Sequence, residues 1–68
     1  MSSPPLGLIG VGLLGSVLAE RLIAGGFEVL GHDIDTGRLE AFGRIGGNAA
    51  PSAGELFRRT ERVVLSLP

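Results

Sequence analysis

The chemistry this chain can offer lies first in a spacing rather than in a reactive side chain. The segment "GVGLLG", Gly10-Val11-Gly12-Leu13-Leu14-Gly15, places glycine at its first, third and sixth positions. That spacing lets main-chain amides approach a diphosphate. The first glycine permits a tight turn, the second has no Cβ to collide with the phosphates, and the third lets a following helix pack close to a sheet. Asp33 stands at the ~20-residue distance at which an acid can accept hydrogen bonds from ribose hydroxyls, and its charge would repel a 2′-phosphate. The candidate binding residues are therefore Gly10, Val11, Gly12, Leu13, Leu14, Gly15 and Asp33.

Glycine fills 12 of 68 positions, so three fixed glycines would recur by chance in roughly one such chain in three. The flanking elements decide whether the spacing means anything. Leu6–Ile9 is a short apolar run suited to a strand buried on both faces. From Leu14 the period becomes helical, with Leu14, Val17, Leu18 and Leu22 as the expected apolar stripe, and Gly25 and Gly26 end it. An export or anchoring segment over Leu6–Ala19 is the competing reading. It is disfavoured because no Lys or Arg precedes the run, glycines interrupt it, and Glu20 and Arg21 close it before the ~20 apolar residues a bilayer requires.

The remaining elements follow the same logic. Phe27–His32, "FEVLGH", reads as a second strand with Asp33 at its tip. Asp33 could instead be a turn residue, since "DIDTG" is rich in turn formers, but the glycines upstream favour the ribose role. Asp35 or Thr36 caps a short helix through Leu39 and Phe42 that ends near Gly43. Gly46–Ala50 is a brief third strand. Ser52 and Glu55 form a capping box that starts a helix to about Arg59. Val63–Leu67, "VVLSL", is a fourth strand, ended by Pro68.

Strands alternating with helices imply a parallel sheet with right-handed crossovers. The expected fold is α/β, a partial Rossmann fold: a doubly wound parallel sheet of four strands in the order 3-2-1-4. Residues 1–5 are expected to be a disordered lead. Residues 6–68 would be the N-terminal part of a dinucleotide-binding domain, incomplete because a six-stranded sheet needs more chain. The ligand crevice should open between the ends of the first and fourth strands, with Leu67 and Pro68 on its border.

Composition excludes several other chemistries. There is no cysteine, hence no disulfide, thiolate zinc site or thiol nucleophile, and a reducing, cytoplasmic setting suits the chain. A single histidine, His32, builds no metal site alone; beside a cofactor site it could touch the adenine edge, but a lone His at a strand end reads as structural, and it is assigned no role. All six basic residues are arginine, against seven acids, for a net charge of −1. Without lysine there is no P-loop and no Schiff base. Arg58, Arg59 and Arg62 read as a solvated helix face. With no Trp or Tyr and three Phe, neither a basic face nor a stacking platform for nucleic acid exists. Nucleic acid and membranes are not expected as partners.

The stretches "LGLIGVGLLGSVLAERLIAGGFEV", "GHDIDTGRLEAF" and "VVLSLP" together resemble the NAD(P)-binding N-terminal segment of the β-hydroxyacid dehydrogenases, which include 3-hydroxyisobutyrate dehydrogenase, tartronate semialdehyde reductase and 6-phosphogluconate dehydrogenase. Leu14 stands at the place of the Met in the family's G-x-G-x-M-G turn. Asp33-Ile34-Asp35 replaces the frequent Asn-Arg-Thr, whose Arg helps hold a 2′-phosphate. The resemblance thus implies NAD in preference to NADP, with NADP still open. It also implies that Leu67-Pro68 lines the nicotinamide side. The family's lysine acid/base and substrate-binding glycine motif have no counterpart here, so the segment is expected to be inactive alone and to serve the missing remainder of an oxidoreductase. Three other readings stay open. One is a non-catalytic NAD(H)-binding or partner-complementing module, suggested by an open edge at Val63–Leu67 and a mean hydropathy of +0.40. The others are a segment of an imine reductase and a flavin binder.

Overall fold

The computed structural model describes residues 4–66. Met1–Ser3, Leu67 and Pro68 lie outside the described residues, and with them most of the expected N-terminal disorder and two of the expected crevice residues. The elements run β1 (Leu6–Ile9), α1 (Leu13–Ala24), β2 (Val29–His32), α2 (Thr36–Arg44), β3 (Asn48–Ala49), α3 (Ala53–Arg59) and β4 (Arg62–Leu65). All pairings are parallel and the strand order is β3-β2-β1-β4, as the alternation of elements implies.

Alternation along β1 and β2 divides the interior between two helical layers. Leu8 and Val29 face α1 and α2, where they pack with Val11, Ala19 and Phe42, bordered by Leu18, Leu22, Ile23, Leu39 and Ile45. Leu30 faces the other way, onto Ala50 and Leu56, bordered by Ile9 and Val63. Helices on both faces explain why β1 and β2 read as continuous apolar runs. Phe42 is fully buried, and its ring fills the space that side chains at Gly31 and Gly47 would take.

The buried face of α1 differs from the expected stripe. Gly15 and Ala19 are its buried residues, with Leu18, Leu22 and Ile23 half-buried beside them, whereas Leu14 and Val17 are exposed. The cause is Gly15. A Cβ there would overlap the Gly10 carbonyl oxygen, so the helix sits with this bare position against the turn. That contact sets the helix phase and turns Leu14 and Val17 outward.

Element ends shift by a residue or two. Strand β2 begins at Val29, leaving Phe27 exposed. Strand β3 is Asn48–Ala49 alone, and β4 spans Arg62–Leu65. Asp35 caps α2, its carboxylate accepting from the Arg38 N–H at 3.1 Å. Ser52 caps α3 by accepting from the Glu55 N–H at 3.1 Å. The Glu55 carboxylate does not close the expected box, because it pairs with Arg58 one turn on.

Candidate functional site

The C-terminal ends of β1, β2 and β4 converge on the turn between β1 and α1. Gly10 has φ +88°, a left-handed conformation that costs a residue with a Cβ but not glycine. A Cβ at Gly10 would also overlap the Ser66 carbonyl oxygen. The turn is tied on both sides: the Gly10 N–H donates to His32 O at 2.9 Å, and the Ser66 N–H donates to Ile9 O at 2.8 Å. Gly10 and Gly15 are therefore required by the protein's own packing.

Gly12 is different. A Cβ there would meet no backbone; its three nearest neighbours all belong to the flexible Arg38 side chain, beginning with Nη1 at 3.6 Å. What lies over Gly12 is thus a movable side chain, with no backbone in the way. Gly12 is also the N-cap of α1, and no side chain caps the helix. The first intrahelical bond runs from the Ser16 N–H to Gly12 O at 2.7 Å. The amides ahead of it face the turn with the partial positive charge of a helix start, a setting suited to an anion.

Asp33 closes the other side. Its Oδ2 accepts from the Val11 N–H at 2.9 Å, and its Oδ1 accepts from the Asp35 N–H at 2.8 Å. The Asp35 N–H is the strongest influence on the carboxyl. With the Val11 N–H, the charge of Arg38 and, when it is protonated, that of His32, it holds the group below its ordinary value, while partial burial opposes them. Each carboxylate oxygen retains a further acceptor site. The acid is thus charged, anchored to the glycine turn and still able to accept from a ligand.

These features frame a crevice of about 520 Å³. Among the residues expected from sequence, Gly10, Gly12, Leu13, Leu14 and Asp33 line it. Val11 and Gly15 support it from beneath. The Val11 side chain is buried in the core and its N–H is engaged by Asp33, while Gly15 packs against the turn. Leu67 and Pro68, expected on the border, lie outside the described residues. Their neighbour Ser66 lines the crevice.

Ile9, His32, Ile34, Arg38 and Ser66 also line the crevice, and none of them is among the binding residues expected from sequence. The signal for Arg38 was available: it lies three residues past the Asp35 cap, and helical side chains lean toward the helix N-terminus, which here abuts the crevice. No carboxylate lies within salt-bridge reach of Arg38 among the described residues, where the ion pairs are Arg44–Glu40 and Arg58–Glu55. No group of three or more His, Cys, Asp or Glu able to hold a metal occurs among the described residues. None of their helices is long and apolar enough to cross a membrane.

A parallel sheet wound on both faces, with a glycine turn and an anchored acid at its topological switch point, defines the class: the nucleotide-binding half of a doubly wound α/β domain. Comparison with known proteins gives the family. Residues 5–68 match the model of the NAD binding domain of 6-phosphogluconate dehydrogenase, and the chain belongs to that family. It is 28% identical over 67 residues to rat (Rattus norvegicus) mitochondrial 3-hydroxyisobutyrate dehydrogenase, covering 98% of this chain and 20% of the relative. Among solved structures, an imine reductase from Pseudomonas sp. superposes with a TM-score of 0.84 at 26% identity, covering 94% of this chain and 22% of that one. The 3-hydroxyisobutyrate dehydrogenase of Mycobacterium tuberculosis, solved with L-serine, gives 0.90 at 22% identity, covering 98% and 23%. The chain spans about a fifth of the length of the curated relatives it matches.

Proposed function

We propose that this chain binds a nicotinamide dinucleotide, with NAD preferred over NADP, as the cofactor-holding segment of an oxidoreductase of the β-hydroxyacid dehydrogenase type. The observation that carries the reading is the bare Gly12, overhung only by the movable Arg38 side chain, between the start of α1, which no side chain caps, and Asp33. The residues fit the group. The α1 amides and the bare Gly12 would hold the diphosphate, Asp33 would accept from the adenosine ribose hydroxyls, and Leu13 and Leu14, 84% and 73% exposed, would cover apolar faces of the ligand. Preference for NAD rests on the charge of Asp33, which opposes a 2′-phosphate, and on Ile34 standing where an arginine would favour one.

When bound, the nicotinamide ring supplies hydride chemistry. The side chains of this segment bind and orient, and no acid/base among those lining the crevice is assigned to the reaction. The remainder of the enzyme would supply the substrate site and proton transfer, so the chain alone is expected to be inactive. A setting such as the cytoplasm suits a chain without cysteine. The similarity to an imine reductase supports a second reading of the parent's reaction, reduction of a C=N bond in place of alcohol oxidation.

Titration with NADH tests the proposal. The chain has no Trp or Tyr, so the cofactor's own fluorescence reports binding without interference. Saturable enhancement that weakens at least about tenfold in Asp33→Ala is expected, the loss of charge-assisted hydrogen bonds. Absence of saturable binding by a folded sample, or unchanged binding by Asp33→Ala, would refute it.

A further inference from the structure

We propose that His32 reads the base of the dinucleotide, its Nε2 accepting a hydrogen bond from the exocyclic amine of adenine. This inference rests on the dinucleotide reading above. His32 Nδ1 lies 2.9 Å from the Ala50 carbonyl oxygen. That oxygen can only accept, so Nδ1 must carry the proton, and neutral His32 is held in a single tautomer. Nε2 is then a bare acceptor. The same bond pins the imidazole between the end of β2 and the segment leading into α3, so the ring is positioned before any ligand arrives.

The placement of His32 points to the base. It lines the same crevice as Asp33, the next residue in the chain, and Ile34 beyond it. A ribose held by Asp33 carries its base on the same sugar, so the base must lie against this part of the wall. Ile34 is 96% exposed and offers an apolar surface for the ring face. His32 offers this part of the wall a fixed acceptor. Adenine presents an amine donor on its exocyclic position, whereas hypoxanthine presents a carbonyl there. An acceptor at Nε2 favours the first and opposes the second.

The experiment compares NADH with its hypoxanthine analogue, deamino-NADH, by fluorescence titration of the full 68-residue chain at pH 8. We expect NADH to bind about three- to tenfold more tightly, the range of one hydrogen bond. In His32→Phe the ratio should be near one. The ratio measured on the unaltered chain stands as a test even if the substitution impairs folding. Saturable NADH binding with no preference over deamino-NADH, or a preference kept in folded His32→Phe, would overturn the role of His32 and leave the dinucleotide reading intact. If a folded chain binds neither dinucleotide, both fall together.

Discussion

Asp33 performs a mechanical task before it meets any ligand: its two oxygens clamp the Val11 and Asp35 amides, joining the glycine turn to the start of α2. That clamp has a pH signature. Because the Asp35 N–H, and after it the Val11 N–H, favour the charged form, the folded carboxyl titrates below its unfolded counterpart. Its stabilisation is therefore present above the unfolded value, about pH 4, and is lost as pH falls through the lower folded value. Urea melts should show Asp33→Asn less stable than the unaltered chain at pH 6, with the gap closing as pH drops below about 4. A gap that widened toward acid would contradict the clamp. At this scale the sequence disclosed Asp33 and the glycines, since few residue types can serve in those places. It did not disclose that the Val11 amide is spent on Asp33 or that Arg38 overhangs Gly12, because both depend on how α2 leaves the end of β2.

The helices carry the energetics of the frame, and α1 shows where periodicity misleads. Leu14, Val17, Leu18 and Leu22 form a plausible stripe, yet the buried face is Gly15, Leu18, Ala19, Leu22 and Ile23. Two of its members are too small to register as hydrophobic signal, and the close contact of Gly15 with Gly10 sets the phase. Ala19→Leu should therefore cost about 1–3 kcal/mol by overpacking, while Val17→Gln should change stability by less than about 0.5 kcal/mol. Chemical denaturation of the two variants checks this, and the reverse ranking would restore the simpler stripe. At α3, the Ser52 cap was legible because Ser followed three residues later by Glu is a local rule. The diversion of Glu55 to Arg58 was not, as both partners satisfy helix spacing. Ser52→Ala should lose about 1 kcal/mol, and no measurable change would mean the cap is not formed. The β3 bounds were the least legible: Gly46 and Gly47 belong to the turn that admits the Phe42 ring, which only tertiary packing reveals.

For the molecule as a whole, strand order followed from the alternation of strands and helices, because handedness leaves few ways to wind such a chain. The outcome is a sheet with α1 and α2 on one face, α3 on the other, and a crevice where β1 and β4 part. The β4 edge away from β1 has no partner among the described residues, and Val64 and Leu65 are exposed on that strand, so further chain or a partner would find a template there. The central claim is that the space over Gly12 is reserved for a diphosphate, and the three glycines of the turn can be separated by one set of alanine variants. Gly10→Ala and Gly15→Ala should each lose more than about 2 kcal/mol, since backbone oxygens occupy the space a methyl would need. Gly12→Ala should unfold within about 1 kcal/mol of the unaltered chain, because only the flexible Arg38 side chain lies near. The decisive measurement is NADH titration of Gly12→Ala under conditions where it is folded. A loss of binding of tenfold or more with stability preserved is the expected result, and NADH binding as tight as that of the unaltered chain would contradict the account.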